Sequence, residues 1–268
     1  MDEFDLIRRC FSPLATTPGA DGLRDDVAEI AHDGGDRLIV TADTIVEGVH
    51  FLPDDPIETV AAKLVRVNVS DIIAKGGKPD GALLMLTWPA RLRLAEAEAF
   101  AVRLGLELAH WGAHLLGGDT TSTEGPLTLS LTLLGRCGWR GPVRRSGATI
   151  GDDLWVTGTI GDGWLGLQAT QGKLAKLDAA DRASLIDAYR VPRPPPLAFA
   201  RIIADHANAS IDVSDGLVAD AAHVAEASGV AIIIDWMDAP LSDAARRWLA
   251  DTPGAVIGGL LAGGDDYQ

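Results

Sequence analysis

The stretch LTLSLTLLG, residues 127–135, alternates apolar and polar side chains. Leu127, Leu129, Leu131 and Leu133 fall on one side of an extended chain, and Thr128, Ser130 and Thr132 on the other. Successive side chains of a strand point to opposite faces, so a period of two predicts a strand with one buried face. Such a strand is not stable alone; it needs neighbouring strands and an apolar layer over its leucines.

The remaining sequence offers both. Arg37-Leu38-Ile39-Val40 opens a strand near 37–42, and GALLMLTW (81–88) reads as a buried strand. Residues 57–76 (IETVAAKLVRVNVSDIIAKG) read as a mostly apolar helix, and residues 92–112 as an amphipathic helix of Ala, Leu and Glu. A short helix over Phe4–Phe11 is expected ahead of a Gly/Pro-containing loop. Further on, GDDLWVTG (151–158) reads as a strand, followed by a Gly-rich helix and a polar helix. VPRPPPL (191–197) is stiff punctuation leading into a helix at 198–207. ASIDVSDGLVADAAHVAEASGVAIIID (209–235) reads strand, turn, helix, strand. Both halves mix strands and helices, which predicts an α/β (α+β) fold. A length of 268 residues points to two domains, 1–147 and 148–268. Trp111 on its helix and Trp155 in its strand are expected in the core.

Lys and Arg total 23 against 38 Asp and Glu, a formal charge of −15. So acidic a surface argues against nucleic acid or an anionic membrane as a partner. It admits an anionic substrate where metal ions intervene. Cys10 and Cys137 form no spaced motif, and no segment resembles a signal peptide or a membrane span. A soluble, cytoplasmic protein with reduced thiols is expected.

The acids stand where elements end. TADTIVEGVHF (41–51) places Asp43, Glu47 and His50 just past a strand, and further acids are Asp25-Asp26, Asp71, Asp119 in LLGGDTTS, Asp212 and Asp215 in IDVSDG, and Asp265-Asp266 in GGDDY. An exposed helix face carrying Glu96, Glu98 and Glu107 would serve solubility better. Taken singly, each acid reads as a turn former or N-cap. Asp71, on an apolar helix, resists that reading, because a buried carboxylate without a partner is costly. Lys63, Arg66 and Lys75 are neighbouring candidates, but they read equally as snorkelling surface residues. A hard divalent cation resolves the conflict, since Mg²⁺ is held by a few carboxylates plus substrate phosphates. Cys and His do not cluster, which argues against zinc. His50 alone reads as structural or substrate-touching. Neither a G-x-x-x-x-G-K-[ST] loop nor the protein-kinase set is present. GGDTTS supplies backbone N–H groups beside an acid, and RRSGA (144–148) places Arg145 next to a turn.

The motifs RDDVA, TADTIVEGVHF, VNVSDIIAKGGKPDGALL, GGDTTS, RRSGATIGDDLWVTGTIGDG, IDVSDGLVAD and GGDDY, in this order, resemble the thiamine-monophosphate kinase family. That family belongs to the superfamily of aminoimidazole ribonucleotide synthetase, selenophosphate synthetase and the hydrogenase-maturation dehydratase. The resemblance implies ATP-dependent conversion of thiamine monophosphate to thiamine diphosphate, by direct in-line transfer without a phospho-enzyme. It implies Mg²⁺ at Asp26, Thr41, Ala42, Asp43, Asp71, Asp119, Asp212 and Asp215. ATP would meet Gly118, Asp119, Arg145 and Ser214, and the thiamine substrate His50 and Asp265. No residue is implied as an acid or base. The architecture implied is an N-terminal domain whose mixed sheet pairs into a barrel across a homodimer, plus a C-terminal α/β domain that ends earlier than the family's. The family usually has Gly at position 24, Ala at 27, Thr or Ser at 42, Met at 75 and Glu at 265, where this chain has Arg24, Val27, Ala42, Lys75 and Asp265. Rival readings are another ATP-using enzyme of the superfamily, or an inactive nucleotide-binding dimer module. Cys10 lacks the Gly-rich setting of a selenophosphate synthetase, and Gln268 is not the C-terminal Cys of the hydrogenase-maturation protein.

Overall fold

Leu129, Leu131 and Leu133 are wholly buried on the central strand of a five-stranded sheet. The computed structural model describes residues 7–30, 35–252 and 255–268. The strands are β1 (Ala28–Ile30), β2 (Arg37–Val46), β3 (Lys78–Pro89), β4 (His114–Thr123) and β5 (Thr128–Cys137), in the order β1-β2-β5-β3-β4. All pairings are antiparallel except β3 with β4. That parallel pair requires a crossover, and helix α2 (Leu94–Trp111) provides it.

Helix α1 (Ile57–Ala74) lies over the leucine face. Val60, Ala61, Leu64, Val65, Ile72 and Ile73 are all at most 2% exposed, so nearly every side of this helix is covered. The expected helix at 57–76 therefore stands, and so do those at 92–112 and 198–207. On β5 the alternation holds as expected, Leu inward and Thr or Ser toward the other face. That other face is open: Ala42, Thr44 and Met85 are exposed, and the edge strand β4 is exposed on both its faces as far as Ser122. Among the described residues, no helix is long and apolar enough to cross a membrane.

The C-terminal half is helical. Helices α3 (Asp162–Thr170), α4 (Ala179–Arg190), α5 (Ala198–His206), α6 (Leu217–Ser228), α7 (Asp243–Asp251) and α8 (Ile257–Leu261) follow one another. Leu165, Leu185, Ala245 and Leu260 form one core among α3, α4, α7 and α8, and Ile160, Val213, Leu217 and Leu261 form a second. Helix α5 packs elsewhere: its Ala200 belongs to the core beneath the sheet, with Leu197, Phe199 and Ile203 against it.

Several expectations are corrected. Residues 151–158, 209–214 and 230–235 join no ladder, and no strand is assigned after Cys137 among the described residues. Apolar alternation makes a strand only where a neighbour completes the hydrogen bonds, and here Ile150, Trp155 and Ile233 face outward. Trp111 is buried as expected, whereas Trp155 is 87% exposed. Within the helix expected at Phe4–Phe11, Ile7–Phe11 forms a π-helical turn, and Phe4 to Leu6 lie outside the described residues. LLGGDTTS, expected where an element ends, is instead the body of the edge strand β4.

Leu131→Ala should cost about 2–5 kcal/mol by opening a cavity under α1. Trp155→Ala should stay within about 0.5 kcal/mol. Urea unfolding of both variants checks the contrast, and equal losses would refute this assignment of core and surface.

Candidate active site

Four separated segments carry acids to one place. Strand β2 delivers Thr41 and Asp43, α1 delivers Asp71, the turn before β1 delivers Asp26, and the segment before α6 delivers Asp212. Carboxylate oxygens of Asp26, Asp71 and Asp212 lie within 4.8 Å of one another. Thr41 Oγ1 donates to Asp71 Oδ2 at 2.5 Å, and the Asp43 amide donates to Asn68 Oδ1 at 3.1 Å. Burial first, and then the charges of Asp212, Asp43 and Asp26, push the Asp71 carboxyl well above its ordinary range. Asp212 is raised likewise, by burial and then by Asp26. Asp43 is pushed up to about 6 by burial and by Asp26. Like charges this close disfavour joint ionisation. An all-oxygen donor set of this kind suits a hard divalent ion, so these residues fit Mg²⁺.

Of the two readings open for the basic residues near the cluster, snorkelling at the surface fails for both lysines. Lys63 and Lys75 are fully buried. Lys75 Nζ lies 2.8 Å from Asp25 Oδ1 and 2.6 Å from Asp26 Oδ2. Arg145 Nε donates to Asp26 Oδ1 at 2.8 Å, and Arg144 reaches Asp25 and Glu29. Arg66 does not serve Asp71. It forks onto Glu107 at 2.9 and 3.1 Å and donates to the Pro192 carbonyl at 2.9 Å. Glu107 also accepts from Arg103 and from Trp111 Nε1, so it is a buried clamp, not an exposed helix-face acid.

The remaining expected residues surround this centre without all joining it. Ser214 and Asp215 run beside the C-terminal segment: the Asp265 amide donates to Ser214 O at 2.8 Å and the Tyr267 amide to Val213 O at 2.7 Å. Asp265 and Tyr267 hold φ of 72° and 55°, a left-handed conformation unusual away from glycine. A side chain on Gly264 would come within 2.4 Å of Ser214 O, so only glycine permits this approach. Asp215 gathers with Asp220 and His223 in a separate group. His50 is exposed, and its Nδ1 accepts from the Val46 amide at 3.0 Å. Lys63 Nζ donates to the His50 carbonyl at 2.9 Å, lies 3.3 Å from Asp265 Oδ1, and sits 4.2 Å from the centre of the Tyr189 ring. The two residues expected at the thiamine substrate are thus joined through one buried ammonium.

Asp119 and Ala42 stand apart. Asp119 is exposed on β4 in register with Met85, which pairs with Ser130, which pairs with Thr44, the row of the open sheet face. It is outside the Asp26–Asp71–Asp212 group. Ala42 is exposed on β2. Gly118, at φ 156°, has its own structural reason: a Cβ would sit 1.8 Å from Leu84 O of the neighbouring strand.

Sequence reading missed the roles of Lys63, Lys75 and Asp266. The signal for the lysines was present, since a charged residue within AAKLV or IIAKG on an apolar helix raises the same question as Asp71. Asp266 gave no such signal. It accepts from the amides of Gly161 at 2.7 Å and Gly163 at 3.0 Å, contacts far off in sequence.

A five-stranded mixed sheet under one apolar helix, a helical second half, and acids converging from both define a class of protein. Residues 24–137 match the model of the AIR synthase related protein N-terminal domain, and residues 149–257 that of the C-terminal domain. Within that class, the chain is 43% identical over 269 residues to the thiamine-monophosphate kinase of Caulobacter vibrioides, covering 99% of this chain and 75% of the relative. The structure of AaThiL complexed with AMPPCP and TMP superposes with a TM-score of 0.90 at 33% identity, over 99% of this chain and 83% of that one. The thiamine-monophosphate kinase of Stenotrophomonas maltophilia superposes at 0.79, with 36% identity over 100% of this chain and 84% of the other. The chain belongs to the thiamine-monophosphate kinase family.

Burial pushes Asp266 up to about 7, although the Gly161 and Gly163 amides favour its charged form. The unfolded chain has the ordinary carboxylate value near 4. Between these values the native state holds a proton that the unfolded state lacks. Asp266 should therefore lower the stability of the fold as pH rises from about 4 to about 7. Thermal midpoints of the wild type minus those of Asp266→Asn should fall across that window. A difference independent of pH would refute it.

Proposed function

We propose that the protein catalyses ATP-dependent phosphorylation of thiamine monophosphate to thiamine diphosphate by direct in-line transfer, with Mg²⁺ required. The observation that carries this reading is the convergence of Asp26, Asp43, Asp71 and Asp212 with Thr41, in a chain of this family. These residues would hold Mg²⁺, joined by the Ala42 carbonyl, Asp119 and Asp215. The bound ions would neutralise the phosphate charges of the two substrates.

The chain's own residues do the rest. The attacking atom is a phosphate oxygen, ionised near neutral pH because the second pKa of a phosphate monoester is about 6. No general base is needed. The remaining task is alignment and charge cancellation. Arg145 is half-buried beside Asp26 and points a guanidinium toward the acid cluster, where it would meet ATP together with Gly118, Asp119 and Ser214. His50 and Asp265 would contact the thiamine substrate, tied to one another by Lys63. With domains divided at 147/148, the acid cluster would draw Asp26, Asp43 and Asp71 from the first and Asp212 from the second. Pairing of two copies through the open sheet face would cover Met85 and Leu116, which are 40% and 61% exposed, and would set Asp119 inside a homodimer.

A coupled assay for thiamine diphosphate should show turnover with Mg²⁺ and none in excess EDTA. Asp71→Asn should lower kcat roughly 100-fold or more. Its metal-free thermal midpoint should hold or rise, since one charge leaves a crowded cluster. Near-normal turnover in the variant would remove Asp71 from the site. Turnover with selenide or an aminoimidazole precursor, and none with thiamine monophosphate, would overturn the substrate assignment.

A further inference from the structure

Lys75 lies just past the end of α1, one turn after Asp71, and no part of its side chain reaches solvent. Its ammonium meets Asp25 at 2.8 Å, Asp26 at 2.6 Å and the Ser210 carbonyl at 2.5 Å. An ammonium has three donors and no acceptor; one donates to the Ser210 carbonyl, while the two carboxylates meet it as ion pairs and Asp26 Oδ2 accepts no hydrogen bond. The side chains of Asp25 and Asp26 are 1% and 2% exposed. Buried charges persist where they are paired and hydrogen-bonded. Asp26 differs from the rest of the acid cluster in this respect. Lys75 and Arg145 both pair with it, while Asp43, Asp71 and Asp212 form no ion pair among the described residues.

We infer that Lys75 is a built-in counter-cation of the magnesium site. It is a positioning residue that fixes Asp26 and its turn in the metal-free protein and competes with the metal for that carboxylate. The inference rests on the magnesium reading above. Its consequence follows from linkage: a positive charge that stabilises the metal-free fold contributes less once Mg²⁺ supplies charge at the same oxygens. Neutralising Lys75 must then cost stability without metal and tighten metal binding.

The test uses the whole chain with Lys75→Met and Lys75→Gln. The Gln side chain removes the charge and keeps a donor for Ser210 O, though it is one atom shorter and adds a carbonyl acceptor. Thermal unfolding is followed in EDTA and across a magnesium chloride series, and Mg²⁺ alone is titrated by calorimetry. Both variants should lose more of their thermal midpoint in EDTA than at saturating Mg²⁺, and should bind Mg²⁺ roughly tenfold more tightly than the wild type. Folding of Lys75→Met only when Mg²⁺ is present also supports the inference. If that variant folds in neither buffer, Lys75→Gln decides. Equal losses at every Mg²⁺ level, or unchanged or weaker Mg²⁺ affinity, reduce Lys75 to a structural hydrogen bond and overturn the inference alone. A wild-type chain that gives no binding isotherm with Mg²⁺ overturns the reading of the site, and this inference with it.

Discussion

Repulsion between carboxylates is the constraint around which this protein is arranged. Asp26, Asp71 and Asp212 come from a turn, a helix and a late loop, yet their oxygens fit within one small volume. Nothing in the hydrophobic effect favours that gathering, since each acid loses hydration and gains a like-charged neighbour. The fold tolerates it because the elements delivering the acids are fixed by cores that do not involve them. Strand β2 is locked to β5 over ten residue pairs, and α1 is buried along almost its whole length. Local destabilisation at the cluster is offset by packing elsewhere, and the cluster becomes a strong acceptor of positive charge.

Two buried lysines mark how that positive charge is divided. Lys75 compensates Asp25 and Asp26 on one side of the cluster. Lys63 links the His50 carbonyl to Asp265 on the other. Burial pulls the Lys63 ammonium below its ordinary value, and the Asp265 charge partly restores it. Lys63 lies on the helix that carries Asp71 and Lys75 caps its end, so one rigid element sets the spacing between the acid cluster and the expected substrate contacts.

Legibility in the sequence followed the range of the forces involved. The alternation of Leu127 to Leu133 and the apolar run of 57–76 are local patterns with a single good solution, and both elements formed as read. Asp71 was legible because an acid on an apolar helix contradicts its surroundings. The strands expected at 151–158 and 230–235 failed because a strand is a property of pairs, and nothing in either stretch announces its partner's absence. Trp155 failed with them. Glu107 was misread for the opposite reason: amphipathic periodicity put it on a polar face, while Arg66, forty-one positions earlier in the chain, drew it inside. Asp119 is a third kind of case. The acid is where the motif put it, but strand register turns it to the open face of the sheet, a fact that depends on β3 and β5.

The placement of α5 decides how the molecule can flex. After the prolines at 191–197, this helix leaves the C-terminal cores and joins the one under the sheet. The chain beyond it stays there, with the Ser210 amide donating to Arg144 O and Lys75 donating to Ser210 O. A hinge drawn at the linker near 145–150 would tear α5 off α1. Past Asp212 the chain is held from the other side, since Val213 packs in a C-terminal core and accepts from the Tyr267 amide, and Ser228 at the end of α6 returns to the amides of Gly147 and Ala148, so the two halves are stitched together on both flanks of the acids.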